Sequence, residues 1–411
     1  MANTAQNLDL ARLNIADPGF WEDDGFLPLF ERLRREEPVH YCPDSAYGPY
    51  WSVTRYEDIL AVDTNHQAFS SASEHGGIII HDAFAFHMGP YVLEGMITMD
   101  PPSHSVHRNA VSGIVARPNL EHFEKIIRER TASVLDNLPV NETFDWAQAV
   151  SIELTTQMLA TLFDFPLEDR RRLARWSDVS TTEPGLGIIA DEAERRREIK
   201  ECLFYFTKLW RERKDKTGGL DLVSMLAQNQ STSGMQPMNF LGNVLVLIVG
   251  GNDTTRNSMS AMVDLFHRFP DQLEKLRQDP SLIENSVSEI IRWQTPISHM
   301  RRTAVADAVI SGREIKKGDK VVMWYISGNR DEAVFDNAEA FRIDRENARR
   351  HLSFGMGIHR CMGRRLAELQ LKILLEAVLE RWRRIEIAGT PERIKSNFIH
   401  GFHKMPVRIV S

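Results

Sequence analysis

Cysteine is scarce. The 411 residues hold three, Cys42, Cys202 and Cys361, too scattered for a disulfide framework or a four-cysteine zinc site. No disulfide is required, which suits a reducing compartment, so a cytoplasmic location is expected. Long apolar runs are also missing: the most apolar stretch, Val244–Val249, is far shorter than the ~20 residues a bilayer span needs. Residues 1–24 show no basic start followed by an apolar core, so no secretory leader and no membrane span are expected. Positive charge is not in excess. The formal net charge of −7 and a pI near 6.1 give no global reason to expect nucleic-acid binding. No repeat, low-complexity linker or Rossmann-type glycine loop interrupts the chain, so residues 1–411 are read as one domain.

What is present is mostly helical periodicity. Phe123, Ile126, Ile127, Val134, Leu135 and Leu138 form one apolar stripe and predict a helix over Glu121–Leu138. Leu366, Leu369, Ile373, Leu374, Ala377 and Val378 form another. Phe240–Val263 is apolar almost all round at its centre and predicts a long helix buried in the middle of the protein. Strand signals are fewer: Trp51–Arg55, Lys320–Ile326, and Ala308–Ile315 with a Ser311-Gly312 turn. The fold class is therefore mostly α with small β regions, a β-rich part lying near the N-terminus. Gly76–Met99, rich in Gly, Ile, Phe, His and Met and without a period, is either a packed loop or a lid over a cavity.

Chemistry concentrates in Phe354-Gly355-Met356-Gly357-Ile358-His359-Arg360-Cys361-Met362-Gly363, which leads into a helix at Arg364. The glycines permit turns that a Cβ would obstruct. Cys361 stands just before a helix N-terminus among Arg360, Arg364 and Arg365, a setting that favours thiolate, hence a nucleophile or a metal ligand. Glu289 and Arg292, three apart on a helix, share a face and can pair. Gly250-Gly251-Asn252-Asp253-Thr254-Thr255 interrupts the apolar helix. Each interior glycine costs about 1 kcal/mol relative to alanine, and the buried acid and hydroxyls need partners. Either the helix kinks there, or the glycines admit a ligand while Asp253 and Thr254 handle protons.

Together these segments resemble the cytochrome P450 superfamily, in motif order from about Phe20 to Val410. The Phe354–Gly363 loop is similar to the family's haem-binding loop, with Cys361 at the axial-thiolate position and Phe354 and Gly355 at its start. Glu289-Ile290-Ile291-Arg292 resembles the Glu-x-x-Arg motif, whose downstream arginine corresponds to Arg345; the implied role is structural. Gly250–Thr255 resembles the oxygen-activation motif, with Gly250 where the family usually has alanine. The same resemblance implies that His104, Arg108, Arg302 and His359 hold the haem propionates, with His107 a weaker candidate. It further implies the P450 fold, with haem b between the buried central helix and the cysteine loop.

The resemblance implies a haem-thiolate monooxygenase that puts one oxygen atom from O₂ into a C–H bond. Val249–Met259, Arg292–Pro296 and Met323–Glu332 narrow it to the bacterial soluble alkane and fatty-acid terminal hydroxylases. Electrons are expected from a separate ferredoxin and ferredoxin reductase fed by NADH or NADPH. Arg349, Arg350, Arg360, Arg364 and Arg365 could dock the acidic partner. The substrate cavity is expected among Ile78–Ile80, Phe84, Phe86, Met96, Ile97, Val246, Val249, Gly250, Ile297 and Phe402, with His81, His87, His299, His400 or His403 available to a polar head group. Three alternatives stand beside this reading. One is a monooxygenase for a terpenoid, steroid or aromatic substrate, and another is a non-enzymatic haem-thiolate sensor. The third, a cysteine hydrolase pairing Cys361 with His359 or His351, suffers from poor mutual geometry and lacks an orienting group.

Overall fold

The computed structural model describes residues 8–21, 23–81, 87–88, 91–182, 184–185, 187–216 and 218–410. Phe84 and Phe86 lie outside these residues. Helices dominate, with small sheets beside them. The first predicted stripe buries Phe123, Ile127 and Leu135 on the helix Arg117–Asp136. It begins a turn earlier than the stripe indicates because Pro118 sits in the first turn, where no N–H is needed. This helix packs on Arg364–Arg381, which carries the second stripe.

The central helix runs from Pro237 to Arg268. Its first half buries Phe240, Leu241, Val244, Leu245 and Ile248 against the helices Ile152–Phe163, Arg171–Thr181, Glu192–Arg213 and Leu222–Gln228. Its last turns bury Met259, Met262, Leu265 and Phe266 in a second apolar core with the helices Ile283–Gln294 and Arg364–Arg381. The polar glycine segment falls between the two cores.

The main sheet has strands β1 (Val39–Cys42), β2 (Tyr50–Val53), β3 (Phe69–Ser70), β4 (Met300–Ala304) and β5 (Lys320–Met323), in the order β1-β2-β5-β4-β3. Only the β2–β5 pair is parallel, with Val321 opposite Trp51. Strand β5 is buried along its whole length, as its Val-Val-Met run requires. It is shorter than predicted: after Met323 the chain turns into a short helix, Tyr325–Gly328. A side chain at Gly328 would meet Ile59 and Leu352 at 2.8 Å, so glycine lets this turn pack closely on the helix Tyr56–Thr64. Likewise Arg55 leaves the predicted strand to flank that helix. The Ala308–Ile315 hairpin forms as read, with Ser311 and Gly312 both at positive φ, as a two-residue loop between twisted strands requires. A second sheet joins Arg384–Ile387, Pro406–Val410 and Thr143–Asp145.

Beneath these elements lies a buried charge cluster. Arg292 grips Glu289 with Nε to Oε2 at 2.7 Å and Nη2 to Oε1 at 2.8 Å. Arg345 Nε donates to both oxygens, at 3.1 and 3.2 Å. All three side chains are buried, and the spare guanidinium N–H groups donate to the carbonyls of Asn329, Ala338, Asp336 and Ala340. Removing one partner leaves charge with no water to take it up, which costs about 3–5 kcal/mol. Glu289→Gln should therefore lower the urea midpoint sharply. Arg349→Ala, which cuts the exposed Arg349–Glu284 pair, should change stability by less than about 1 kcal/mol. Equal effects would mean that the buried cluster carries no special weight.

Candidate active site

Between the central helix and the cysteine loop lies a cavity of about 270 Å³. Of the expected substrate residues, Ile78, Ile79, Met96, Ile97, Val246, Val249, Gly250 and Ile297 line it, and Ile80 does not. So do Cys361, Phe354, Gly355, His104, Arg108, Arg302 and His359 from the cysteine loop, β4 and the helix Ser103–Ser112.

The loop's shape follows from its glycines. Gly355 and Gly357 both take positive φ, near 62° and 63°. A Cβ on Gly357 would stand 2.5 Å from the Asp63 carbonyl oxygen, so only glycine lets the loop settle on the helix Tyr56–Thr64. The Cys361 N–H donates to the Phe354 carbonyl at 2.8 Å, closing the loop and opening the sulfur onto the cavity. The expected bias toward thiolate is not reached by the protein alone. Burial pushes the Cys361 thiol up, against the pull of the Gly363 and Arg364 N–H groups and of Arg108 and Arg364. A bound metal cation is the charge that would reverse this balance.

The charged lining groups cluster. Asp63, absent from the sequence reading, accepts from Arg302 Nη2 at 2.8 Å, from the Tyr325 hydroxyl at 2.8 Å and from the Met356 N–H at 2.7 Å. The Tyr325 hydroxyl is thereby pushed well up, by burial first and then by the Asp63 charge. Nothing in the local sequence singles out Asp63; its signal is the loop that folds onto it from the far end of the chain. Burial works against a charge on the two histidines. His359 is pushed down to about 2, chiefly by burial and then by Arg302, and His104 is also lowered by burial. Their rings meet edge to face, with centroids 4.4 Å apart. They can supply N–H donors, while Arg108 and Arg302 supply the charge. His107 points elsewhere, to Asn243.

On the helix side the two glycines part company. A Cβ on Gly250 would meet nothing within 4 Å, whereas one on Gly251 would lie 2.7 Å from Leu159. Gly250 opens the cavity; Gly251 serves helix packing. Thr254 lines the cavity and its hydroxyl donates to the Gly250 carbonyl at 2.8 Å. Asp253, expected beside it, is turned away and wholly buried. It pairs with Arg256 at 2.8 Å and accepts from Thr181 Oγ1 at 3.3 Å; Thr181 itself reaches the cavity. Consecutive helical residues diverge by about 100°, which is why the pair cannot share a face. Burial raises Asp253 to about 6, with Arg256 opposing and Asp178 assisting the rise.

Other expectations fail. Phe402 does not line the cavity: its ring packs beneath the Arg393 guanidinium at 4.3 Å, and its N–H donates to Asn257. Phe398, four residues earlier, lines it instead. His299 bonds the Asn397 carbonyl, His400 bonds Gln294 and Asp24, and His403 faces solvent. None of these, nor His81, lines the cavity. The His87 side chain lies outside the description.

A glycine-shaped thiol loop facing an apolar cavity with two arginines at its rim describes a haem-thiolate site. The comparisons with known proteins agree. The family model for Cytochrome P450 matches residues 189–409. The chain is 34% identical to Linalool 8-monooxygenase of Pseudomonas putida over 98% of its own length and 100% of that protein's. Among solved structures it is similar to Cytochrome P450-153 from Novosphingobium aromaticivorans, at 45% identity and a TM-score of 0.89, covering 96% of this chain and 99% of that one. It is also similar to CYP153D17 from Sphingomonas sp. PAMC 26605, at 46% identity and a TM-score of 0.92, covering 98% and 100%. The chain belongs to the cytochrome P450 family, and it is a P450 monooxygenase. The family's cofactor is haem b bound through a thiolate, with O₂, a redox partner and a hydrophobic substrate. The residues present fit that group: both ring nitrogens of His104 are buried without a hydrogen-bond partner, and the Gly250 face is open. Among the described residues no helix is long and apolar enough to cross a membrane.

The raised Asp253 carboxyl makes a pH prediction. The folded protein keeps a proton that the unfolded chain releases near 4, so this group's penalty is absent below about 4 and complete above about 6. Asp253→Asn should flatten that part of the stability profile in urea melts across this range, since Arg256 retains Asp178 at 2.6 Å. An unchanged slope would show that Asp253 titrates normally.

Proposed function

We propose that the protein hydroxylates the terminal carbon of a linear apolar chain, a medium-chain alkane or fatty-acyl group, with electrons from a ferredoxin and its reductase. The observation that carries this is the cavity's lining: Ile97, Val246, Val249, Ile297 and Phe398 offer a linear chain aliphatic and aromatic contact, and the histidines in the lining, His104 and His359, belong to the Arg108–Arg302 cluster. Burying an eight-carbon chain contributes up to about 6 kcal/mol at ~0.8 kcal/mol per CH₂. The resemblance of Val249–Met259 and Met323–Glu332 to terminal hydroxylases points the same way.

In this reading Cys361 is the thiolate ligand, and Arg108 and Arg302 hold the propionates with His104 and His359 as N–H donors. When bound, the haem supplies the activation of dioxygen. Thr254 holds a proton at Oγ1 inside the cavity, anchored by the Gly250 carbonyl. Asp253 stores one behind the wall, near neutrality, with the Thr181 hydroxyl between it and the cavity. A primary C–H bond is stronger than a secondary one, so chain-end attack depends on positioning by the apolar walls. Exposed Arg349, Arg350, Arg360 and Arg365 offer the acidic ferredoxin a basic face. A monoterpene alcohol is the second reading, supported by the relative named for linalool.

Gas chromatography of products from octane, a medium-chain fatty acid and linalool decides between them. Mainly 1-octanol or ω-hydroxy acid is expected; mainly subterminal alcohols, or turnover of linalool alone, would sink the first reading. Cys361→His should abolish activity and the red-shifted Soret band of the ferrous–CO complex. A retained band would remove Cys361 as ligand. Thr254→Ala should keep substrate binding but release several-fold more peroxide per NADH oxidised, and full coupling would exclude this hydroxyl.

A further inference from the structure

The wall that carries Met96 and Ile97 is not held by apolar packing alone. Residues 94–96 lie directly on the central helix, backbone against backbone. A Cβ on Gly95 would stand 2.6 Å from the Gly242 carbonyl oxygen and 2.9 Å from Val246 Cγ2. A Cβ on Gly242 would stand 2.5 Å from the Glu94 carbonyl carbon. Neither position accepts a side chain without moving the wall away from the helix.

The next residue, Asn243, is wholly buried and does not line the cavity. Its carbonyl oxygen accepts the Met96 N–H at 2.9 Å. Its amide donates to His107 Nδ1 at 2.9 Å and to the Asn239 carbonyl at 2.8 Å. Both amide hydrogens and the carbonyl are thus engaged, and three elements meet on one side chain: the wall, the central helix, and the helix Ser103–Ser112 that also bears His104 and Arg108. Val246, one turn on, lies against Gly95 and lines the cavity, as does Val249.

We propose that Asn243 is a positioning residue for substrate selection: with Gly95 and Gly242 it pins the Met96–Ile97 wall to the central helix and so sets the width of the passage beside Val246 and Val249. This rests on the reading that those residues touch the substrate. The residue acts through Met96 and Ile97. Loss of the amide leaves the Met96 N–H and the His107 acceptor without partners, which favours a wall displaced from the helix. A wider passage discriminates less between linear and branched chains.

The test is an optical titration of the haem-loaded protein with imidazole, 1-octylimidazole and an imidazole bearing a branched eight-carbon tail. The unmodified protein should prefer the linear tail. Asn243→Ala should shrink the linear-to-branched affinity ratio about tenfold, with affinity for imidazole itself and the ferrous–CO spectrum unchanged. His107→Phe should do the same, while His107→Asn, whose side-chain carbonyl can stand in for Nδ1, should restore the ratio. These two variants carry the test if Asn243→Ala does not fold. A ratio preserved in Asn243→Ala or His107→Phe, or a loss of affinity equal for all three ligands, would overturn the proposal. Octane oxidised at subterminal carbons by a protein that passes this titration would instead overturn terminal hydroxylation.

Discussion

Glu289 is the one carboxylate in the described core shared by two buried arginines, and the cysteine loop depends on that arrangement. Arg292, held by Glu289, donates to the Asn329 carbonyl. Asn329 in turn accepts the Leu352 N–H at 2.6 Å and donates to Ser353 Oγ at 2.8 Å, and Ser353 returns a hydrogen bond to Ile291 on the arginine's own helix. Leu352 and Ser353 are the two residues before Phe354, where the loop begins. The cluster thus fixes the entry of a loop whose sulfur stands eight residues further on. Buried charges gain little net stability, but once in place they tolerate few alternative geometries, which is what a loop built on glycines lacks by itself.

The central helix solves a related problem. A continuous apolar helix would fuse the two cores and leave no room between them. Instead the run from Gly250 to Ser258 replaces side-chain bulk with glycines, hydroxyls and amides, each answered locally: Thr155 bonds Asn252, Asn257 bonds the Asp253 carbonyl, and Ser258 bonds the Thr254 carbonyl. The helix continues without losing its ladder while its face opens onto the cavity. Function sits where the packing pattern is broken, and the break is stabilised from behind, by the Arg171–Thr181 helix through Asp178 and Thr181.

How much of this was legible depended on distance along the chain. The helices could be read from their stripes, the cysteine loop from its glycine spacing, and the Glu289–Arg292 pair from its i, i+3 register. The cavity lining on the central helix, Val246, Val249 and Gly250, followed from the family resemblance. Asp63 could not be read, because an acid in the last turn of an ordinary short helix carries no local mark. Phe402 was misplaced because short strands near the C-terminus offer too few residues to show which face is inward. The separation of Asp253 from Thr254 was not legible until the helix was built, since consecutive helical residues diverge by about 100°. The Cys361 thiolate was read from neighbouring arginines, whereas desolvation, which local sequence does not express, outweighs them in the protein alone.

The Met356 N–H and the Asp63 carboxylate that receives it are 293 positions apart, and His104 and Arg108 join from near the same early part of the chain. Closing so large a loop gains nothing until both ends are available. A nascent chain emerging from the ribosome holds Asp63, His104 and Arg108 long before it holds Cys361. The pocket is therefore complete only once nearly all of the polypeptide has been made.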